Sequence, residues 1–136
     1  MRDRAVLDSG VIFAIYFEEE ASDRATKAAR GCSPITLDLA VAEVGNAAWK
    51  RVAFFQERDD AARFSLSKCL EFIASCAVMR SSDLAAQAFE ISLETKTTFY
   101  DSLFLAAADQ ENVPLLTLDK KMYQSAKGKF NVRMLF

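Results

Sequence analysis

The stretch from Thr98 to Asp119 constrains the fold of this chain more than any other. Thr98-Phe99-Tyr100-Asp101-Ser102-Leu103-Phe104-Leu105-Ala106-Ala107-Ala108-Asp109 has the spacing of an amphipathic helix with an acid in its first turn. Val113-Pro114-Leu115-Leu116-Thr117-Leu118-Asp119 then reads as a tight connection, a short buried strand and the start of a further helix. A strand this apolar belongs in the middle of a parallel sheet. An acid directly after it lies at the C-terminal edge, where open α/β sheets bind ligands. Ala5-Val6-Leu7-Asp8 repeats the pattern near the start of the chain.

The remaining segments fill in an alternation of strands and helices. Ser9 or Gly10 opens a helix with Val11, Ile12, Ile15 and Tyr16 on one face, running out in Glu18-Glu19-Glu20, which reads as solvated surface. Ala21 to Arg30 suits a surface helix stopped by Gly31. Ile35-Thr36-Leu37 is a second strand, and Asp38 caps a helix extending to about Gln56, with Val41, Val44, Ala48, Val52 and Phe55 as its core face. Asp59 to Ser75 is a helix in which Phe64, Leu66, Leu70, Phe72 and Ile73 supply apolar area. Ala77-Val78-Met79 is a strand, and Ser82-Asp83 caps a helix to about Glu94. After the strand at Pro114 to Thr117, a helix over about Lys120 to Lys127 is stopped by Gly128. Val132 to Leu135 closes the sheet. The expected fold is α/β, three layers around a mostly parallel sheet, as a single domain over residues 1–136.

Composition removes several function classes. The chain has no histidine, which excludes His-Ser and His-Cys catalysis and His-ligated zinc. Cys32, Cys69 and Cys76 are odd in number with no CxxC pair, and read as small core hydrophobes in a reducing compartment. The first eight residues leave no room for the apolar core of a signal peptide. No apolar run approaches the ~20 residues that span a bilayer. The expected location is therefore cytoplasmic. A net charge of −2 argues against wrapping duplex DNA by bulk electrostatics, but not against nucleic acid as such.

Carboxylates are left to carry the chemistry. Asp8 and Asp119 each follow a strand, while Glu43 and Asp101 each sit near the start of a helix that packs on the sheet. Right-handed crossovers gather all four at one cleft. Two carboxylates about 4 Å apart repel by ~4 kcal/mol at an effective dielectric near 20, and a divalent cation reverses that sign. Oxygen-only donors favour Mg²⁺ or Mn²⁺ over zinc. The reaction class this implies is phosphodiester hydrolysis. Ser9 and Thr117 stand where their hydroxyls can support the acids. Taken singly, each acid is equally a helix cap or a partner of a helix dipole.

These motifs resemble those of PIN-domain nucleases, and in size and layout those of VapC toxins from prokaryotic toxin–antitoxin pairs. The carriers are Val6-Leu7-Asp8-Ser9, Ala42-Glu43-Val44-Gly45-Asn46-Ala47, Tyr100-Asp101-Ser102-Leu103-Phe104-Leu105-Ala106-Ala107-Ala108 and Leu115-Leu116-Thr117-Leu118-Asp119-Lys120-Lys121-Met122. The resemblance implies that Asp8, Glu43, Asp101 and Asp119 hold Mg²⁺ or Mn²⁺ for cleavage of single-stranded RNA, with Ser9, Thr117 and Asn46 in support. Ser9-Gly10 departs from the Thr-Asn that often follows the first acid in that family. The resemblance also implies a homodimer and an antitoxin whose segment lies in a groove. Trp49, Phe54, Phe55, Phe64 and Phe72 are candidates to line it, although the ordinary fate of such side chains is core packing.

Lys50, Lys120 and Lys121 lie close in sequence to the acids and are candidate RNA contacts, as are Arg51 and Lys96; the bland alternative is a solvated helix charge. Three other readings remain. One is a haloacid-dehalogenase-like phosphatase, which wants an Asp where Gly10 stands. The second is a PIN-fold interaction module without turnover, and the third a housekeeping RNA-processing nuclease.

Overall fold

Among the described residues, 2–136, the computed structural model has five strands and seven helices. In chain order they are β1 (Arg4–Leu7), α1 (Ser9–Tyr16), α2 (Ser22–Arg30), β2 (Ser33–Leu37), α3 (Leu39–Phe55) and α4 (Asp59–Ser75). There follow β3 (Ala77–Met79), α5 (Ser81–Thr95), α6 (Phe99–Glu111), β4 (Leu115–Thr117), α7 (Lys120–Ala126) and β5 (Val132–Met134). The strands form one sheet in the order β3-β2-β1-β4-β5, and every pairing is parallel. The architecture is the α/β one expected, with the sheet wholly rather than mostly parallel.

Alternation along the central strands sets the layers. Ala5, Leu7 and Leu116 face one way, onto α1 to α4, while Val6 and Leu115 face the other, onto α5, α6 and α7. The chain builds β1, β2 and β3 outward in one direction and then returns to place β4 on the other side of β1. That reversal opens a crevice outside the C-terminal ends of β1 and β4. Helix α6 runs beneath it and is buried continuously from Ser102 to Ala108, as its Leu-Phe-Leu-Ala-Ala-Ala sequence requires of a helix apolar all round.

Three expectations need correcting. The core face of α3 is Ala40, Val44 and Ala48, an i, i+4 stripe against α1 and α4, whereas Val41 and Phe55 are exposed. Helix α4 buries Ala62, Cys69 and Ile73, with Leu66 and Phe72 half-buried beside them and Phe64 and Leu70 exposed. Both helices therefore turn mostly small residues inward and leave several large ones, Phe55 and Phe64 among them, outside. Nor do Ser82 and Asp83 cap α5. The helix begins at Ser81, whose backbone N–H and hydroxyl both donate to the Asp38 carboxylate. Cys32 and Cys69 are buried and Cys76 half-buried, all as free thiols.

Candidate active site

The crevice holds a pocket of about 250 Å³ lined by Asp8, Glu43, Asp101 and Asp119, and also by Glu19. All four predicted acids thus meet at one place. Among the described residues lining it there is no Lys or Arg.

Each acid is held by local chemistry that its sequence context supplies. Asp8 caps α1: its Oδ1 accepts from the Val11 N–H at 3.0 Å, and its Oδ2 accepts from the Thr117 hydroxyl at 2.5 Å. Thr117, fully buried at the end of β4, in turn accepts from the Asp119 N–H at 3.0 Å. One hydroxyl therefore couples the acids that follow β1 and β4. Asp119 caps α7 by accepting from the Met122 N–H at 3.0 Å. Ser9 donates to Glu43 Oε1 at 2.7 Å, tying α3 to the start of α1.

Asp101 sits in the first turn of α6. Its N–H donates to the Thr98 hydroxyl at 3.1 Å, and a run of hydroxyls from Thr95 through Thr97 to Ser102 anchors that turn.

Burial and like charge act together here. Asp8 is only 8% exposed, and burial pushes its carboxyl up to about 7; the charges of Asp101 and Asp119 add to the rise, and the Thr117 and Val11 hydrogen bonds oppose it. Burial likewise raises Asp101, with Asp119 and Glu43 contributing, against the lowering effect of Thr98. Among the described residues, no three His, Cys, Asp or Glu side chains converge tightly enough to ligate one ion directly. The acids stand around the pocket with several of their oxygens occupied by caps and hydroxyls. The donor set is all oxygen, the kind that hard divalent cations such as Mg²⁺ or Mn²⁺ take.

The supporting residues divide. Ser9 and Thr117 hydrogen-bond two of the acids, Glu43 and Asp8. Asn46 does not line the acidic pocket: one turn beyond Glu43, it is exposed in an adjoining groove with Lys50. Lys120 and Lys121 are exposed on the first turn of α7, directly after Asp119. Arg51 is not a free RNA contact. It bonds Glu19 at 3.1 Å and Glu57 at 3.5 Å and lies over the stacked rings of Phe13 and Phe17. Glu19, read from sequence as plain surface, is thereby held at the pocket rim. The Glu18-Glu19-Glu20 run gives no sign of this, because the contact that places Glu19 comes from a helix 32 residues away.

The aromatic side chains of α3 and α4 also differ from the core packing expected. Trp49, Phe54, Phe55 and Phe64 are 56–71% exposed, and Trp49 and Phe54 meet edge to face at 5.3 Å. Of the set, Phe72 packs against the core.

A switch-point crevice ringed by acids on this sheet defines a class, and comparison with known proteins agrees. The PIN domain family model matches residues 5–128, and the chain belongs to that family. It is 33% identical over 120 residues to Ribonuclease VapC3 of Pyrobaculum aerophilum, covering 88% of this chain and 92% of the relative. It is 29% identical over 99 residues to Exonuclease VapC9 of the same organism, covering 73% of this chain and 71% of that one. Among solved structures, a toxin–antitoxin complex from Klebsiella pneumoniae contains a chain of the same fold. Its TM-score is 0.72 at 16% identity, with 97% of this chain and 98% of that one covered.

Proposed function

We propose that this protein, as a single domain over residues 1–136, is a Mg²⁺- or Mn²⁺-dependent endoribonuclease that cleaves single-stranded RNA. The observation that carries the reading is the convergence of Asp8, Glu43, Asp101 and Asp119 on one pocket with no basic side chain among the residues lining it. Such a cluster is costly unless a cation is shared among its members. When bound, the ion supplies positive charge at the scissile phosphate, lowers the pKa of the attacking water and relieves charge on the leaving oxygen.

The chain's own residues do the rest. Asp8, Glu43, Asp101 and Asp119 would hold the ion, some of them through waters that it keeps. Thr117 and Ser9 fix the carboxylates of Asp8 and Glu43, while Lys50, Lys120 and Lys121 draw phosphate toward a pocket that would otherwise repel it.

The relatives named VapC, and the fold shared with a toxin–antitoxin complex, support the further reading of a toxin acting in the cytoplasm. An antitoxin partner then covers the exposed Trp49–Phe54 face of α3. A homodimer buries a second apolar face, carrying Phe89 and Leu93 on α5, which are 56% and 62% exposed. Exposed aromatic anchors of this kind are what protein partners take up.

The test is RNA cleavage against a Mn²⁺ titration, wild type beside Asp101→Asn. Wild type is expected to cleave only with Mg²⁺ or Mn²⁺ and to stop in chelator. The variant is expected to lose roughly 100-fold or more of the rate, the scale on which removing a key electrostatic group acts. Full activity in chelator, or an unimpaired variant, refutes the reading.

A further inference from the structure

Resting on the nuclease reading above, we propose that the groove beside the acidic pocket is a nucleotide subsite. In it the Tyr100 ring stacks on a nucleobase of the RNA strand and Lys50 holds a neighbouring phosphate. The groove has a volume of about 440 Å³ and is walled by Leu39, Ala42, Asn46, Lys50 and Tyr100. It shares Glu43 and Ala47 with the acidic pocket, so a strand lying in one continues into the other.

Two elements build it. On α3, Glu43, Asn46 and Lys50 fall at i, i+3 and i+7, one stripe that leads away from the acids. On α6, Tyr100 immediately precedes Asp101, so a ring at the groove wall adjoins a carboxylate at the pocket. Tyr100 is 59% exposed. Among the described residues its ring joins no aromatic or cation pair, and Lys50 makes no ion pair. Lys68 and Lys127, by contrast, each lie over an aromatic ring.

The chemistry fits one unit of a single strand. Aromatic faces give sequence-tolerant stacking, an ammonium tracks the backbone, and an amide such as that of Asn46 can meet a base edge. A protein segment is the poorer occupant. The exposed aromatic pair Trp49 and Phe54 does not line this groove, whose own wall offers a single cation beside an acidic mouth.

The test uses the full chain with a short single-stranded oligoribonucleotide and its counterpart carrying one abasic nucleotide beside the cleavage site. Tyr100→Ala is expected to raise KM about 5- to 100-fold, the scale of losing one stacked base, while kcat changes little. Tyr100→Phe retains the ring and should restore wild-type KM. The abasic substrate should reproduce the loss in wild type and add nothing in Tyr100→Ala. Lys50→Ala should weaken binding and flatten its salt dependence.

Equilibrium binding of the intact oligonucleotide to Asp101→Asn, with and without Tyr100→Ala, reads the groove independently of turnover. Tyr100-dependent binding without any cleavage by wild type would retain the subsite and reject the nuclease. Cleavage by wild type with unchanged KM in Tyr100→Ala would overturn the subsite and leave the nuclease standing. Loss of protein-partner binding in Tyr100→Ala with RNA binding intact would also overturn it.

Discussion

Thr117 does more than its size implies. Its hydroxyl donates to Asp8 and accepts from the Asp119 N–H, so two acids from different strands share one support. Thr117→Val keeps the shape and removes both bonds. The expected cost is roughly 10- to 100-fold in Mn²⁺ affinity, as for other groups that orient metal ligands. A loss of about 1–3 kcal/mol in stability should accompany it, because a buried carboxylate loses its donor. Calorimetric titration with Mn²⁺ and thermal melting measure the two, and unchanged Mn²⁺ affinity would remove Thr117 from the site.

At this scale the sequence was informative wherever a residue abuts a strand end, as Asp8, Ser9, Thr117 and Asp119 do, since a short strand leaves the next side chain little choice of place. It was uninformative for Glu19, which a distant arginine holds at the pocket, and for Asn46, which one extra helical turn carries into the neighbouring groove.

Among the described residues, three helices end on a left-handed residue other than glycine. Residues at the C-terminal ends of α3, α5 and α6, namely Gln56, Lys96 and Asn112, adopt positive φ near 60°. Gly31 stops α2 as expected, but with φ −85° and not in the left-handed region. A left-handed lysine costs roughly 1–2 kcal/mol, of which Gly's extra freedom when unfolded gives back only part. Lys96→Gly should therefore stabilise the protein by about 0.5 kcal/mol, seen as a small rise in Tm, without touching the hydroxyl run that anchors α6. An unchanged or lowered Tm would contradict that accounting.

The elements themselves were readable: α4 and β3 lie where periodicity and apolar runs place them, and β4 and its flanking helices differ only at their ends. The buried face of α3 was not. A helix with Val41, Val44, Ala48, Val52 and Phe55 at helical spacing offers more than one apolar stripe. Close approach to α1 and α4 selects the one with the smallest side chains. The same selection turned Trp49 and Phe54 outward.

Across the whole molecule, the four acids come from segments far apart in sequence, and the reversal of strand order around β1 assembles them. Stability is therefore linked to protons through Asp8 and, on the proposed function, to metal as well. Without a cation, folded Asp8 keeps its proton up to about pH 7, whereas the unfolded residue ionises near pH 4. Between those values the unfolded chain binds fewer protons, so stability falls as pH rises and levels off above about 7. Melting in chelator from pH 4 to 8 should trace that decline. Saturating Mn²⁺ should counter it at the upper end, because ligation needs the carboxylate and displaces the proton. A flat profile in chelator would show that Asp8 is not the buried acid described.

The connection between α4 and β3 divides the chain so that Asp8 and Glu43 fall in one part and Asp101 and Asp119 in the other. Neither part owns the pocket. A single nick at Cys76 would leave two pieces, each carrying two of the four acids, so the pocket exists only while they remain joined along both the β1–β4 and the β2–β3 seams.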